Sequence, residues 1–294
     1  MATPPDAPAP PDEFGGSRRS HLFRDLFRQE GTKGVAVAVV STIVVFGVIV
    51  YVVTHSPNWP AVKHLFFNGK EFVSTFPEIA SKFVRNIEYF LICEVVILAF
   101  ALFLAVLRSL PGPVFFPLRL MAVVYTDVFR GIPTILVIYL LGFGVPALAL
   151  KGVPSSATFW ALVALILSYS AYVAEVYRAG IESIHPSQAA AARSLGLTRW
   201  KAMRFVVIPQ AVRRVVPPLL NDFVALQKDT ALVAFVVAVP EAFLQAQIFQ
   251  QGDFNFTPLL CAALLFLMIT IPLTRLVDYL LARQRRRRQA GSAL

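Results

Sequence analysis

Four long stretches of this 294-residue chain contain no charged side chain, and they limit what the chain can fold into. A helix needs about 20 mostly apolar residues to cross the hydrocarbon core of a membrane. The four stretches are residues 34–53, 132–150, 157–174 and 254–274. Apolar residues make up 57% of the chain and charged residues 15%, which excludes a disordered chain, a coiled coil and an ordinary soluble enzyme. The sequence therefore predicts an integral membrane protein.

Two further stretches are predicted to cross the membrane although they carry charges. Residues 89–107 contain one acid, Glu94, and residues 215–240 are interrupted by three charged side chains. The span at 215–240 is expected to be irregular. An alternative for the span at 132–150 is that it begins earlier, near Leu118. The predicted fold class is all-α, with six transmembrane helices.

The distribution of basic residues predicts the orientation of these helices. Lys and Arg are enriched in the cytoplasmic loops of membrane proteins. Most of the 27 Lys and Arg residues fall on one side if both termini are cytoplasmic, and the loop at 178–214 is especially rich in them. The net charge of +10 is then explained by the basic residues on the cytoplasmic side of the membrane and does not indicate a nucleic-acid partner.

The segments outside the main spans have distinct compositions. Residues 1–20 are rich in Pro and Ala and are predicted to form a disordered cytoplasmic tail. Residues 21–33 place apolar side chains on one helical face, which predicts an amphipathic helix on the inner leaflet. Residues 54–82 are predicted to be extracytoplasmic. Residues 283–294 form a basic cytoplasmic tail that is suited to membrane lipid headgroups.

The loop at 178–214 contains local signals for two short helices. Pro186 marks a helix start, and Gly196 fits a helix C-cap that needs a left-handed residue. Thr198 can cap a second helix, which Pro209 is expected to end.

Trp200, Met203 and Val207 of that second helix are predicted to share one face. The resulting knob could be a structural hairpin, a docking surface or a DNA-reading motif. A loop tethered at both ends so near the bilayer cannot easily enter a DNA groove. Its small Ala and Gly residues favour docking over a plain hairpin.

The same loop resembles the cytoplasmic signature of bacterial ABC importer permeases. That signature is Glu-Ala-Ala, three residues, Gly, nine residues, then Ile-x-Leu-Pro. The matching residues are Ala190-Ala-Ala192, Gly196 and Val206-Val-Ile-Pro209. Flanking residues 193–200 and 209–211 and motifs at 129–133, 174–180, 217–222 and 228–232 are similar to the polar amino-acid subfamily.

The resemblance covers about residues 83–282 and implies a five-helix permease core there, with 34–53 as an extra N-terminal span. This arrangement is similar to actinobacterial glutamate-type permeases, so a glutamate or aspartate importer in a bacterial plasma membrane is the first expectation. The resemblance assigns coupling to the ATPase to residues Ala190, Ala191, Ala192, Arg193, Gly196, Trp200, Val206, Ile208 and Pro209. The Glu of the signature is replaced by Ala190, so any ion pair it would make is absent.

The resemblance also implies several partners. A P-loop needs Gly-x-x-x-x-Gly-Lys-Ser/Thr, and the only Gly-Lys pair, Gly69-Lys70, lacks the earlier glycine. No cofactor is therefore expected in this chain, which is predicted not to be an enzyme. ATP and Mg would be bound by a partner ATPase dimer. A second permease, different or identical, and an extracytoplasmic amino-acid-binding protein complete the expected complex.

Ionisable and polar residues inside spans are candidates for the substrate pathway, because burying them in lipid is costly. These candidates are Glu94, Asp127, Arg130, Asn221, Lys228 and Asp229. Asp127 and Arg130 lie three residues apart and could pair on one helix face. Ion pairs that stabilise the fold explain the presence of these residues at least as well as contacts with the substrate do.

A secondary carrier or channel and a membrane enzyme are the alternatives to a permease subunit. A self-sufficient secondary carrier or channel predicts inverted repeats or an intramembrane ion site, and no convincing repeat relates the two halves. A membrane enzyme predicts a catalytic motif, but the four His residues are scattered and neither His-Glu-x-x-His nor Gly-x-Ser-x-Gly occurs.

Overall fold

The computed structural model describes residues 31–237 and 239–291, and every regular element in those ranges is helical. The predicted tail at 1–20 and most of the predicted amphipathic helix at 21–33 lie outside the described residues. The helices are α1 (Gly31–Thr54), α2 (Trp59–Phe66), α3 (Gly69–Ser109), α4 (Phe116–Gly131), α5 (Thr134–Tyr139), α6 (Val145–Ala147), α7 (Ala157–Glu182), α8 (Pro186–Ser194), α9 (Arg199–Ala202), α10 (Ile208–Asp229), α11 (Ala231–Val237), α12 (Ala242–Asp253) and α13 (Thr257–Gly291). A 3-10 turn spans Pro113–Phe115, and π turns span Leu140–Gly144 and Met203–Val207.

Among the described residues, those up to Lys63 and those from His64 onward form two compact units. In the first unit, the predicted span at 34–53 is confirmed as a candidate membrane span, Gly34–Thr54. The hydroxyls of Ser41 and Thr42 both donate to the Ala38 carbonyl oxygen, at 3.0 and 2.7 Å. These bonds satisfy the two hydroxyl groups within the helix. Lipid chains offer no hydrogen-bond partners, so the segment is compatible with a hydrocarbon environment.

The all-helical prediction is confirmed, but six spans are not reproduced. Four segments within the described residues are long and apolar enough to cross a membrane, namely Gly34–Thr54, Trp59–Ser109, Ala157–Glu182 and Thr257–Arg283. The segments Pro113–Gly131 and Thr134–Ala147 add a fifth only if this pair, bent by 103°, is one crossing.

The predicted span at 132–150 is not a straight helix. Helix α4 ends at Gly131, and Ile132 is extended, with φ −93° and ψ 130°. A residue that precedes proline is disfavoured in helical conformation, so Pro133 explains why the chain turns here. The start suggested near Leu118 lies inside α4, which does not continue through the bend.

Two other predicted boundaries differ from the structure. The stretch at 215–240 is divided, because α10 begins at Ile208 and ends at Asp229, and α11 is only seven residues long. The charged residues of this stretch lower its mean hydropathy, and it is not among the candidate membrane spans of the described residues. The predicted boundary between 82 and 83 falls inside α3, a single helix of 41 residues.

Helix α7 lies at the centre of the second unit. Its buried small residues include Ala161, Ala164, Ala171 and Ala174, all 0% exposed, and they pack among residues of α3, α4, α5, α10 and α11. Small side chains allow helices to approach closely where lipid offers no hydrophobic driving force between them. A second apolar cluster joins the N-terminal part of α3 to α12 and α13.

Gly180 marks the closest approach of α7 and α10. A Cβ atom at this position would overlap the Val215 Cγ2 methyl. We expect Gly180→Ala to lower the free energy of unfolding by about 1–3 kcal/mol, because overpacking pushes the two helices apart. Thermal unfolding in detergent measures this loss. Val215→Ala should restore much of the stability of Gly180→Ala, whereas Gly47→Ala, where no atom lies within 4 Å, should be harmless.

Candidate functional site

The 178–214 loop folds into two helices joined by a glycine turn, as its local signals predict. Helix α8 begins at Pro186, and His185 Nδ1 accepts a hydrogen bond from Ser187 N at 3.2 Å. Gly196 has φ +84°, in the left-handed region that glycine adopts without strain. Gly196 N donates to Arg193 O at 2.9 Å and Leu197 N to Ala192 O at 3.2 Å. This pair of bonds is a Schellman cap, which fixes the turn.

The second half of the loop is only partly as predicted. Thr198 Oγ1 accepts from Lys201 N at 3.3 Å and caps α9, which confirms its predicted role. Pro209 does not end a helix but is the second residue of α10, which continues directly from the π turn. The π turn shifts the helical register, so Val207 is 6% exposed while Trp200 is 67% exposed. The predicted shared face of Trp200, Met203 and Val207 is therefore wrong.

We call residues 186–209 the knob, which is anchored on one side and exposed on the other. Its anchored side packs in a cluster of Ile184, Val207 and Ala211, and Arg214 donates to the Ser183 carbonyl oxygen. Large apolar side chains remain exposed, including Leu195 at 85% and Phe205 at 63%. Exposed apolar groups on a rigid, capped turn are suited to a protein partner.

A shallow groove of about 550 Å³ runs along the Gly196 turn. It is lined by Ala190, Arg193, Ser194, Gly196, Leu197, Thr198 and Arg199. Of the nine predicted coupling residues, Ala192 is buried at 5% and Val206 is partly buried, while the other seven are exposed. Three of the nine line the groove, so the structure brings part of the predicted set together.

Arg130, a predicted pathway residue, belongs to an ion network centred on Glu175. Arg108 Nη1 lies 3.0 Å and Arg130 Nη1 3.8 Å from Glu175 Oε2. Arg178 is bonded to Glu175 and also to Glu182. The predicted Asp127–Arg130 pair is absent from the ion pairs of the described residues, because Arg130 reaches across to α7. Asp127 itself is exposed.

Further contacts hold the Glu175 network in place. Arg108 Nη1 also donates to Thr126 Oγ1 at 3.2 Å. The Arg130 guanidinium lies 6.0 Å from the ring centroid of Tyr172, whose hydroxyl donates to the Arg130 carbonyl oxygen at 3.2 Å. Side-chain exposure is 15% for Arg108 and 22% for Glu175. One carboxylate thus ties α3, α4 and α7 together, which agrees with the structural or interfacial role that its place near the inner end of a span suggests.

The remaining pathway candidates lie on α3 and α10. Asp229 Oδ2 accepts from the Tyr169 hydroxyl at 2.7 Å, which links α10 to α7. Glu94 of α3 is partly buried. Asn221 and Lys228 are exposed in this chain. The structure therefore places Asp229 at a helix contact and leaves Asn221 and Lys228 exposed.

A buried polar group was missed by the sequence reasoning. Asn86, Thr230 and Glu241 are 1%, 0% and 0% exposed and are hydrogen-bonded to one another through Asn86. Pro240-Glu241 directly before α12 is a helix-start pattern, and this was the available signal. Nothing local in the sequence connects Glu241 with Asn86, which lies 155 positions earlier.

Residues 97–286 match the family described as "Binding-protein-dependent transport system inner membrane component". The chain belongs to this family. The match includes the whole knob and every residue of the Glu175 network, and it confirms the predicted permease subunit, which is a transport component and not an enzyme.

Two curated relatives in this transport family carry amino-acid names. The chain is 31% identical over 220 residues to "Glutamate/aspartate import permease protein" of Escherichia coli O6:H1, covering 73% of this chain and 96% of the relative. It is 35% identical over 189 residues to "Probable glutamine ABC transporter permease protein" of Bacillus subtilis, covering 63% of this chain and 84% of the relative.

Solved structures in the transport family share the fold. The structure described as "Crystal structure of an amino acid ABC transporter with histidines" is 30% identical to this chain, with a TM-score of 0.66. The alignment covers 74% of this chain and 98% of that one. An inward-facing methionine ABC transporter aligns with a TM-score of 0.53 at 19% identity, over 70% of this chain and 98% of that one, and supports the fold alone.

Proposed function

We propose that the chain is the permease subunit of an ATP-driven importer for polar amino acids, with its knob as the surface that receives the ATPase. The observation that carries this proposal is the capped Gly196 turn, with Leu195 and Trp200 exposed at 85% and 67% beside it. ATP and Mg are bound by the partner ATPase dimer. Closure of that dimer pushes on the knob, which moves α7 and α10 because it lies between them.

The proposed complex includes further partners. A second permease, different or identical, completes the pathway. An extracytoplasmic binding protein delivers the amino acid, and membrane lipid surrounds the spans. Ala190 replaces the signature Glu, so attachment to the ATPase relies on apolar contact and on the basic side chains of the knob. No nucleic acid is involved.

Copurification tests the docking role of the knob. Leu195→Ala combined with Trp200→Ala removes two exposed apolar contacts, and truncation of central interface anchors costs about 2 kcal/mol or more each. We expect the ATPase to copurify with the wild-type permease and to be lost from the double variant. Leu148→Ala, at a comparably exposed apolar residue outside the knob, is the control. An ATPase that stays bound to the double variant would contradict this role.

Glutamate and aspartate are the first substrates to test. The relative named for glutamate and aspartate import supports this choice, and the relative named for glutamine makes glutamine the next. Arg130 supports it less than the sequence suggested, because its guanidinium lies 3.8 Å from Glu175 in an ion network that joins helices. Lys228 is exposed, and it is absent from the ion pairs of the described residues. We assign to it the contact with substrate carboxylate.

We further propose that both termini and the knob are cytoplasmic in a bacterial plasma membrane. Both cysteines, Cys93 and Cys261, are 0% exposed, so a thiol reagent should label only introduced cysteines. In intact cells, we expect an impermeant reagent to label Lys151→Cys but not Ser194→Cys. Permeabilised cells should show labelling at both positions. Labelling of Ser194→Cys in intact cells would reverse the orientation.

A further inference from the structure

Glu241 is an acid that is completely buried without an ion-pair partner among the described residues. It lies directly before α12 and is 0% exposed. Its Oε1 accepts from Leu244 N at 2.8 Å, and its Oε2 accepts from Asn86 Nδ2 at 2.6 Å. Burying a carboxyl group is costly unless its oxygens are hydrogen-bonded, so both oxygens are committed as acceptors.

Asn86 of α3 uses both ends of its side-chain amide. Its Oδ1 accepts from Ala242 N at 3.2 Å. Its Nδ2 donates to Glu241 and to Thr230 Oγ1, the latter at 3.3 Å. Thr230 is the residue between α10 and α11. Asn86 therefore ties the start of α12 to the break between α10 and α11.

The last turn before this break is held by three different helices. Thr270 Oγ1 of α13 donates to Gln227 Oε1 at 2.9 Å, and Tyr169 of α7 donates to Asp229. Thr230 receives its bond from Asn86 of α3 and donates to the Gln227 carbonyl oxygen at 2.9 Å. Within residues 227–230, the one exposed side chain is that of Lys228. Because its neighbours are fixed, the direction in which Lys228 leaves the helix is fixed as well.

We propose that Glu241 and Asn86 are positioning residues for import, which act through Thr230 to orient Lys228 in the substrate pathway. This inference rests on the proposed function, because it takes Lys228 as a pathway residue. Glu241 does not contact the substrate. It holds Asn86, Asn86 holds the break after α10, and the break sets the direction in which the Lys228 side chain leaves the helix.

Two single variants and their combination test the hydrogen-bond chain. In Glu241→Gln, the new NH₂ group faces either Leu244 N or Asn86 Nδ2, both of which are donors, so one hydrogen bond is lost. In Asn86→Asp, the new oxygen faces the Glu241 carboxyl, and the hydrogen bond between these two side chains is lost. Each should lower uptake per membrane-inserted molecule about tenfold, since small misplacements at a working site cost up to about a hundredfold. In the combined variant, the amide introduced at position 241 can donate to the carboxylate introduced at position 86. The Thr230 hydroxyl can turn from the Gln227 carbonyl oxygen to donate to the same carboxylate, which keeps the link to the break after α10. We expect uptake to return to within about threefold of wild type.

A second comparison separates positioning from a purely structural role. Lys228→Met should lower uptake, and adding Glu241→Gln should cause no further loss, because Glu241 acts through Lys228. Independent effects would multiply instead. Glu88→Gln, at an exposed acid outside this network, should leave uptake unchanged. If Glu241→Gln fails to reach the membrane, Thr230→Val, which keeps the side-chain shape, takes its place in the same comparison.

Uptake of radiolabelled glutamate, aspartate and glutamine is measured in cells that express the permease with its partner subunits, normalised to the amount in the membrane. The inference is overturned if Glu241→Gln imports normally, if the combined Asn86 and Glu241 variant does not recover, or if the losses with Lys228→Met multiply. Failure of the wild-type complex to import any of the three amino acids would instead contradict the proposed function.

Discussion

Replacement of Gly196 by glutamate is expected to abolish amino-acid uptake while the permease still inserts into the membrane. Gly196 has φ +84°, and a side chain there costs about 1–2 kcal/mol of strain in the left-handed region. No atom lies within 4 Å of the position of its Cβ, so the new side chain would stand in the groove that receives the ATPase. Uptake and membrane level, measured in the same cells, check this result.

Gly152 provides a matched control for backbone strain. Its φ is +81°, and no atom lies within 4 Å of its Cβ position either, but it is outside the knob. Gly152→Glu should therefore carry the same strain and retain uptake. Normal transport by Gly196→Glu would contradict the coupling role of the knob. Equal loss in both variants would show that strain, and not docking, is responsible.

Removal of the Glu175 side chain is expected to destabilise the helix bundle strongly. Glu175→Ala would leave Arg108, Arg130 and Arg178 facing one another without their shared carboxylate. Removing one partner of a buried ion pair costs about 3–5 kcal/mol, and the partial exposure here favours the low end, about 3 kcal/mol. Thermal unfolding of the detergent-solubilised protein measures the loss, and uptake should fall with it.

Glu182 is the matched control for this variant. It also pairs with Arg178 but its side chain is 61% exposed, and exposed ion pairs contribute less than about 1 kcal/mol. Glu182→Ala should therefore unfold within a few degrees of wild type. If Glu175→Ala and Glu182→Ala had equal stability, the Glu175 network would not be what joins α3, α4 and α7.

The parts of the structure that could be predicted from the sequence are those set by local chemistry. Uncharged runs identified the candidate spans at α1, α7 and α13, because hydropathy over about 20 residues is sufficient for such helices. Pro186, Gly196 and Thr198 identified the knob, since caps and turns depend on neighbouring residues. The count of six spans is not confirmed, because Pro133 bends the chain and α10 ends at Asp229, and packing decides whether broken helices cross.

Contacts between distant residues could not be predicted. Arg130 could pair with Asp127 by spacing, since they are three positions apart, whereas its ion-pair partner Glu175 is far along the chain and close only after α4 and α7 pack. Trp200 and Val207 have helical spacing, yet Trp200 is exposed and Val207 is buried, with the π turn of the knob between them. The buried group around Glu241 was missed for the same reason, since its hydrogen bond to α3 exists only once α3 and α12 are adjacent.

We expect this permease to import amino acids only when a partner subunit hydrolyses ATP. The most direct test is uptake of labelled glutamate, aspartate and glutamine into liposomes that contain the purified complex, with the binding protein outside and ATP enclosed within. We expect uptake that requires ATP and the binding protein and that disappears in Gly196→Glu. Uptake by the permease alone, driven by a sodium or proton gradient without ATP, would contradict it and identify a secondary carrier.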